Sequence, residues 1–197
     1  MLPSSVQKVN IMNKLLLVIW HWFPFALTVT LICVIVYVVV QQDYRMSAND
    51  IPSQLAEDAA NSLDKGTDPK ALVDSVPVDI STSLSPYIMI FDVRDNVVAS
   101  SAILDGQSPV PPAGVLKYVR ENNDETVSWQ PRKGVRQALV LRKTTGGKNY
   151  VVAAGHSLRK AEEKISMLGQ QIIFGWAVSL GILFVVIGGQ QLIVRKK

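Results

Sequence analysis

The chain has 197 residues, room for one ordinary domain and some membrane. Its net charge of +4 is unevenly placed: all sixteen acidic residues and fifteen of the twenty basic ones lie between Asp43 and Lys164, and the excess sits in Lys8, Lys14, Arg195, Lys196 and Lys197. A basic balance confined to the tails excludes a nucleic-acid patch, and a single cysteine, Cys33, excludes a disulfide framework.

Residues 1–14 form a basic N-terminal tail. They are followed by "LLLVIWHWFPFALTVTLICVIVYVVV", Leu15 to Val40, 26 residues without a formal charge. At about 1.5 Å per residue this run spans roughly 39 Å as a helix, against about 30 Å of bilayer core. Soluble core helices rarely run so long without a charged face. A cleaved signal peptide has an apolar region of only ~7–15 residues, so residues 15–40 are read as an uncleaved membrane helix. Pro24 removes one backbone donor and is expected to bend it. Trp20, His21 and Trp22 suit the cytoplasmic interface, while Tyr37, Tyr44 and Trp176 suit the opposite one. His21 is read as a neutral imidazole at headgroup depth.

Residues 41–156 form the outer domain. "IPSQLAEDAANSLDKG" reads as a helix with Ile51, Leu55, Ala59 and Leu63 recurring every four residues and Gly66 as its stop. "DPKALVDSV" is a shorter helical piece, with Asp68 as N-cap and Pro69 in the first helical position. "PYIMIFDV" and "DNVVASSA" read as strands joined by a turn at Asp95-Asn96, since both residues tolerate positive φ. "LDGQSPVPP" is a Gly/Pro loop and "AGVLKYVREN" a helix. "ETVSWQ", "VRQALVLRK" and "NYVVAAG" are three strands, the last two joined by a "TTGGK" hairpin turn. The order implies an α+β fold with a five-stranded antiparallel sheet and its helices on one face.

"SLRKAEEKISMLGQQII" begins a helix that Ser157 can cap, and residues 157–171 are assigned to a juxtamembrane signalling helix. Leu158, Ala161, Ile165, Leu168 and Ile172 alternate in steps of three and four, the seam of a helix packing on one partner helix. That partner is either this chain's own domain or a second copy. The helix runs without a proline into a second uncharged run, Ile172 to Val194, with Gly175 and Ser179 as a small-x3-small pair that permits close helix approach. Residues 195–197 form a basic tail. Basic flanks stay inside, so both termini are expected in the cytoplasm and Gln41 to Gln171 outside a cell membrane crossed twice.

Sites of chemistry are sparse. No spacing of Cys, His and Asp suggests a metal, and no cofactor is implied. "TTGGKN" lacks the spacing of a phosphate loop. Ser100 and Ser101 are not in a nucleophile-elbow sequence, and His156 has no evident orienting acid, so no enzyme is expected. On "VRQALVLRK", Arg136, Ala138, Val140 and Arg142 share one face and Val135, Gln137, Leu139 and Leu141 the other. If the first face lines a cleft, Arg136 and Arg142 can grip an anionic ligand. If the second face is the core, both arginines are solvated surface.

The stretch "YIMIFDVRDNVVASSAILDGQSPVPP", with "NYVVAAGHSLRKAEEKI" and the two flanking spans, resembles the sensor half of bacterial two-component histidine kinases. Ser100, Ser101, Leu104, Asp105, Gly106, Pro109, Pro111 and Pro112 carry the resemblance, and Asn96 departs from it where a glycine is more usual. The resemblance implies a PAS-like, Cache-like extracytoplasmic domain between two membrane helices, with small ligands held between sheet and helix. In such kinases the second span leads to a linker and a kinase core, and here the sequence ends at Arg195-Lys196-Lys197. The expected function is therefore a non-catalytic sensory or regulatory module that relays an outside signal through its membrane helices to a partner. That partner is a second copy, a separate membrane protein or a kinase. Two alternatives remain: an accessory or scaffold subunit of a membrane complex, and a truncated kinase sensor. The ligand is not named by the sequence, and no nucleic acid is expected.

Overall fold

A computed structural model describes residues 4–73 and 76–194. The C-terminal tail 195–197 and two residues of the "DPKALVDSV" piece, Asp74 and Ser75, lie outside the described residues. Two long helices, α1 (Ser4–Ser47) and α4 (Arg159–Val194), bracket a compact α+β unit spanning Asp43–Lys164. Both are long and apolar enough to cross a membrane. They carry large apolar side chains in the open, among them Phe23, Phe25, Phe174 and Val185. Soluble monomers rarely expose so large a continuous apolar surface.

In the helical unit α1 and α4 meet through a few specific contacts. The Trp22 indole donates to the Leu180 carbonyl oxygen at 3.3 Å, and its ring meets Phe184 edge-on at 6.3 Å. Trp176, expected to seek the outer interface, donates to Thr30 Oγ1 at 2.9 Å, and Thr30 in turn donates to the Ala26 carbonyl. An apolar surround offers an indole N–H no water, so a partner within the protein is the available solution.

The α+β unit begins with α2 (Asp50–Asp64), separated from α1 by Ala48-Asn49. Pro52 explains the break, because it cannot donate to the Ala48 carbonyl as a continuous helix would require. The buried stripe of α2 is Pro52, Ala56, Ala59, Ala60 and Leu63. The expected four-residue stripe is thus corrected: Ile51 is 52% exposed and Leu55 only half-buried, because a strict four-residue step drifts off a 3.6-residue turn. Gly66, at φ 93°, ends the helix as expected, with Gly66 N–H donating to Leu63 and Thr67 N–H to Ser62. Asp68 caps a 3-10 helix, Pro69–Leu72, by accepting from the Lys70 amide.

Seven strands follow. They are β1 (Val78–Asp79), β2 (Tyr87–Phe91), β3 (Val97–Ser100), β4 (Ala102–Ile103), β5 (Asp124–Arg132), β6 (Val135–Lys143) and β7 (Val151–Ser157), with α3 (Ala113–Asn122) between β4 and β5. A five-stranded antiparallel sheet has the order β3-β2-β7-β6-β5, so β7, last in sequence, is the middle strand. β1 and β4 form a small parallel pair beside it.

The helices do not share one face of the sheet. Ile88, Ile90, Val140, Val152 and Ala154 pack on Ala56, Ala59, Ala60 and Leu63 of α2. Tyr87, Met89, Phe91, Leu139, Leu141, Val151 and Ala153 pack on Leu116 and Val119 of α3. This correction has a plain cause: all five β2 side chains are buried, so the central strands are apolar on both faces and need a cover on each.

Turns settle the rest. Asp95, not Asn96, takes the positive φ between β2 and β3, at 64°. Asp92 holds this turn by accepting from the amides of Arg94 and Asn96. Within "LDGQSPVPP", Asp105 and Gly106 both have positive φ, and Leu104 and Gln107 exchange two backbone bonds across them. That is the two-residue hairpin turn that Asp-Gly favours.

One close approach matters for packing. A Cβ on Gly155 of β7 would lie 2.2 Å from Tyr87 Cζ and 2.3 Å from its hydroxyl oxygen. The Tyr87 ring therefore lies across a gap that only glycine leaves. Gly155→Ala is expected to destabilise the unit by about 3 kcal/mol, since neither a sheet backbone nor a fully buried ring can retreat; denaturant unfolding of the purified chain measures this.

Candidate functional site

The sequence directs attention to β6 and to the start of α4. Arg136 and Arg142 lie on the α2-facing side of β6, with Ala138 and Val140 buried between them. Six residues apart on a strand, they stand about 20 Å apart. Each has a carboxylate already: Arg136 pairs with Glu162 in the first turns of α4, and Arg142 with Glu57 of α2 at 3.3 Å. The two are not brought together, and neither faces the α3 side.

Arg136 sits instead at the strand-to-helix junction. β7 ends at Ser157 and α4 starts at Arg159, with one residue between them. Leu158 is buried, and its amide donates to the Arg136 carbonyl. The Ser157 hydroxyl accepts from the Arg159 amide at 3.4 Å, one residue before the capping position, which Leu158 takes. The Arg159 guanidinium donates to the Thr82 carbonyl. The first turn of α4 is thus tied to β6, to β7 and to the loop after β1. Of the seam residues, Ala161 is half-buried in the α+β unit, and Ile165 and Leu168 are half-buried in the helical unit. Gly175 is exposed with open space around it, and the Ser179 hydroxyl donates to the Gly175 carbonyl. The close approach to α1 falls at Gly169 instead, where an added Cβ would meet Tyr37 at 3.5 Å.

His156 points to the α2 side of β7, with Nδ1 buried and unpartnered. Ser101, one of the paired serines, is structural: its hydroxyl accepts from the Ile88 amide at 3.0 Å and donates to the Ile88 carbonyl. Among the described residues no group of three or more His, Cys, Asp or Glu side chains could hold a metal ion.

The "TTGGKN" loop joins β6 to β7, and Thr145 and Gly146 donate to Asp64. Asp64, at the end of α2, accepts from Thr145 Oγ1 at 2.6 Å, from the Thr145 amide and from the Gly146 amide at 2.7 Å. A shallow polar pocket of about 210 Å³ opens beside it, lined by Asp64, Thr144, Lys148 and Tyr150.

Sequence reasoning passed over two polar groups on the α3 side. The Tyr87 hydroxyl and Gln137 Oε1 are buried without partners. Gln137 was legible as a polar interruption among Val135, Leu139 and Leu141. Tyr87 was not, because its orientation depends on Gly155, far along the chain. Burial holds the Tyr87 phenol well above its usual range, so it stays neutral.

Comparisons leave this geometry to speak for itself. No protein-family model matches the chain. No curated protein matches it at a significant level.

Three carboxyls are held below the usual carboxylate range: Asp64 by the Thr145 hydroxyl, Asp79 by the Ser81 hydroxyl and Asp92 by the Asn96 amide. A depressed folded pKa adds stability above the unfolded value, about 3.9, and that stability is lost as pH falls through the folded value. The melting temperature of the α+β unit is expected to fall as pH drops below about 4. Asp64→Ala is expected to be less stable at pH 7 and to show a shallower acid limb; thermal unfolding from pH 3 to 7 reads both.

Proposed function

We propose that the chain is a non-catalytic sensory or regulatory module of a cell membrane. In this reading α1 and α4 both cross the bilayer, both termini lie in the cytoplasm, and the α+β unit is a PAS-like domain on the outer side. A signal received there shifts the start of α4, and a partner protein beside the membrane helices reads the shift.

The observation that carries this reading is the junction between β7 and α4. The middle strand of the sheet passes through a single residue into a helix of 36 residues. Three contacts anchor the first turns of that helix: the Arg136–Glu162 ion pair, the Arg159–Thr82 bond and the Leu158–Arg136 backbone bond. A change in sheet packing is therefore felt at the helix start without crossing a flexible linker. The strand order, with first and last strands adjacent in the middle, supports a PAS-like unit, and the basic tails support the orientation.

Two measurements test this. In a Cys33→Ser background, Ser128→Cys on the exposed face of β5 is expected to react with a membrane-impermeant maleimide in intact cells, while a tag after Lys197 stays protected. The opposite pattern overturns the orientation. A photo-crosslinking residue at Val185, 72% exposed on α4, is expected to yield an adduct with a second protein. Adducts only between copies of this chain would overturn relay to a separate partner.

A further inference from the structure

Native proteins leave few buried polar atoms unpaired, and here two lie on the same face of one sheet. Tyr87 and Gln137 are each 1% exposed, and neither the phenol oxygen nor Gln137 Oε1 has a partner. Tyr87 belongs to the α3-side core with Val135 and Leu139, and Gln137 lies between those two on a strand of period two. The orientation of the Gln137 amide is set by its nitrogen, which donates to the Ile80 carbonyl at 2.9 Å. Its oxygen is left facing the core.

Gly155 brings the two groups into one neighbourhood. The Tyr87 hydroxyl stands over Gly155. Gly155 pairs with Leu139, and Gln137 is the next β6 residue on the same face. Such diagonal positions are about 7–8 Å apart at Cα, a gap that a glutamine side chain closes in part. The two atoms do not bond each other, and one small polar group reaching both would satisfy both.

We propose that Tyr87 and Gln137 form a neutral subsite for a single hydroxyl group. The bonding is directional. An amide oxygen only accepts, so the guest must donate to Gln137; the phenol can donate or accept, and its proton is satisfied only by a guest that also accepts. One hydroxyl oxygen does both. A carboxylate cannot donate, and an ammonium cannot accept. The hydroxyl belongs either to a held water or to a small alcohol or polyol. As a signal site this subsite rests on the sensory reading above; as a binding site it stands alone.

Apolar replacements of similar size test it. If the atoms are simply stranded, Tyr87→Phe relieves an unpaired group and leaves the melting temperature unchanged or higher, Gln137→Met loses only its bond to the Ile80 carbonyl, and the two effects add. If a hydroxyl bridges them, each single variant of the 197-residue chain in detergent micelles melts lower by roughly 3–6 °C, and the double variant melts little lower than either single. Additive effects, or stabilisation by either single, overturn the proposal. Ethylene glycol and glycerol separate the two sources. A saturable rise in melting temperature for the unsubstituted chain, absent from the double variant, assigns the site to an alcohol; coupling without such a rise assigns it to water. Should the variants fail to fold, the unsubstituted chain serves: a cross-relaxation peak from the Gln137 side-chain amide to a long-lived water or alcohol proton supports the subsite, and its absence overturns it. These readouts are internal to the α+β unit, so their failure is distinct from a failure of the α4 crosslinking.

Discussion

The α+β unit depends on a sheet whose middle is apolar on both sides. β2 and β7 have no solvent face, so neither could be stable as part of a sheet with helices on one side only. Every later choice follows from that constraint. α2 must cover one face and α3 the other, and the chain must place its first and last long strands side by side in the centre. Polar residues are pushed to the strand ends, where Arg136 and Arg142 reach carboxylates on neighbouring helices. Covering both faces also removes the open groove in which two arginines could have met around an anion.

This arrangement puts the mechanical centre of the unit one residue from a long helix. An edge strand can shift without disturbing its sheet, but a middle strand cannot, because it is hydrogen-bonded on both sides. If a guest at the α3-side face altered the packing around Gly155, the displacement would be felt two residues before the β7 strand ends at Ser157. The α2-side face packs through an alanine-rich contact, which leaves its side chains less to rearrange.

Much of this was legible in the residues. The strands "YIMIF" and "VRQALVLRK", the helix "AGVLKYVREN" and the caps at Asp68 and Gly66 follow from local chemistry, and local chemistry decided them. The two-sided core was also written in "YIMIF", which has no polar alternation, yet a run of five apolar residues says only that both faces are covered and not by what. The stripe on α2 was misjudged at Ile51 and Leu55 because a strict four-residue step drifts off a 3.6-residue turn, while Ala59 and Leu63 are buried as read. The turn after β2 was legible at Asp95, which takes the positive φ, but not the part of Asp92, whose side chain holds the turn from before it. The roles of Tyr87 and Asp64 were out of reach for a different reason. Each depends on a glycine distant in sequence, Gly155 and Gly146, and no local pattern encodes such a meeting.

The two tryptophans of the helical unit carry a consequence for how it can move. Trp22 bonds to α4 and Trp176 bonds to α1, so each helix grips the other at a different height. If hydrocarbon surrounds the pair, neither bond has water to take its place. Twisting either helix about its long axis would tear both grips at once, whereas a slide of a fraction of an ångström would merely bend them. The pair is built like a rail, tolerant of travel along its length and resistant to torsion.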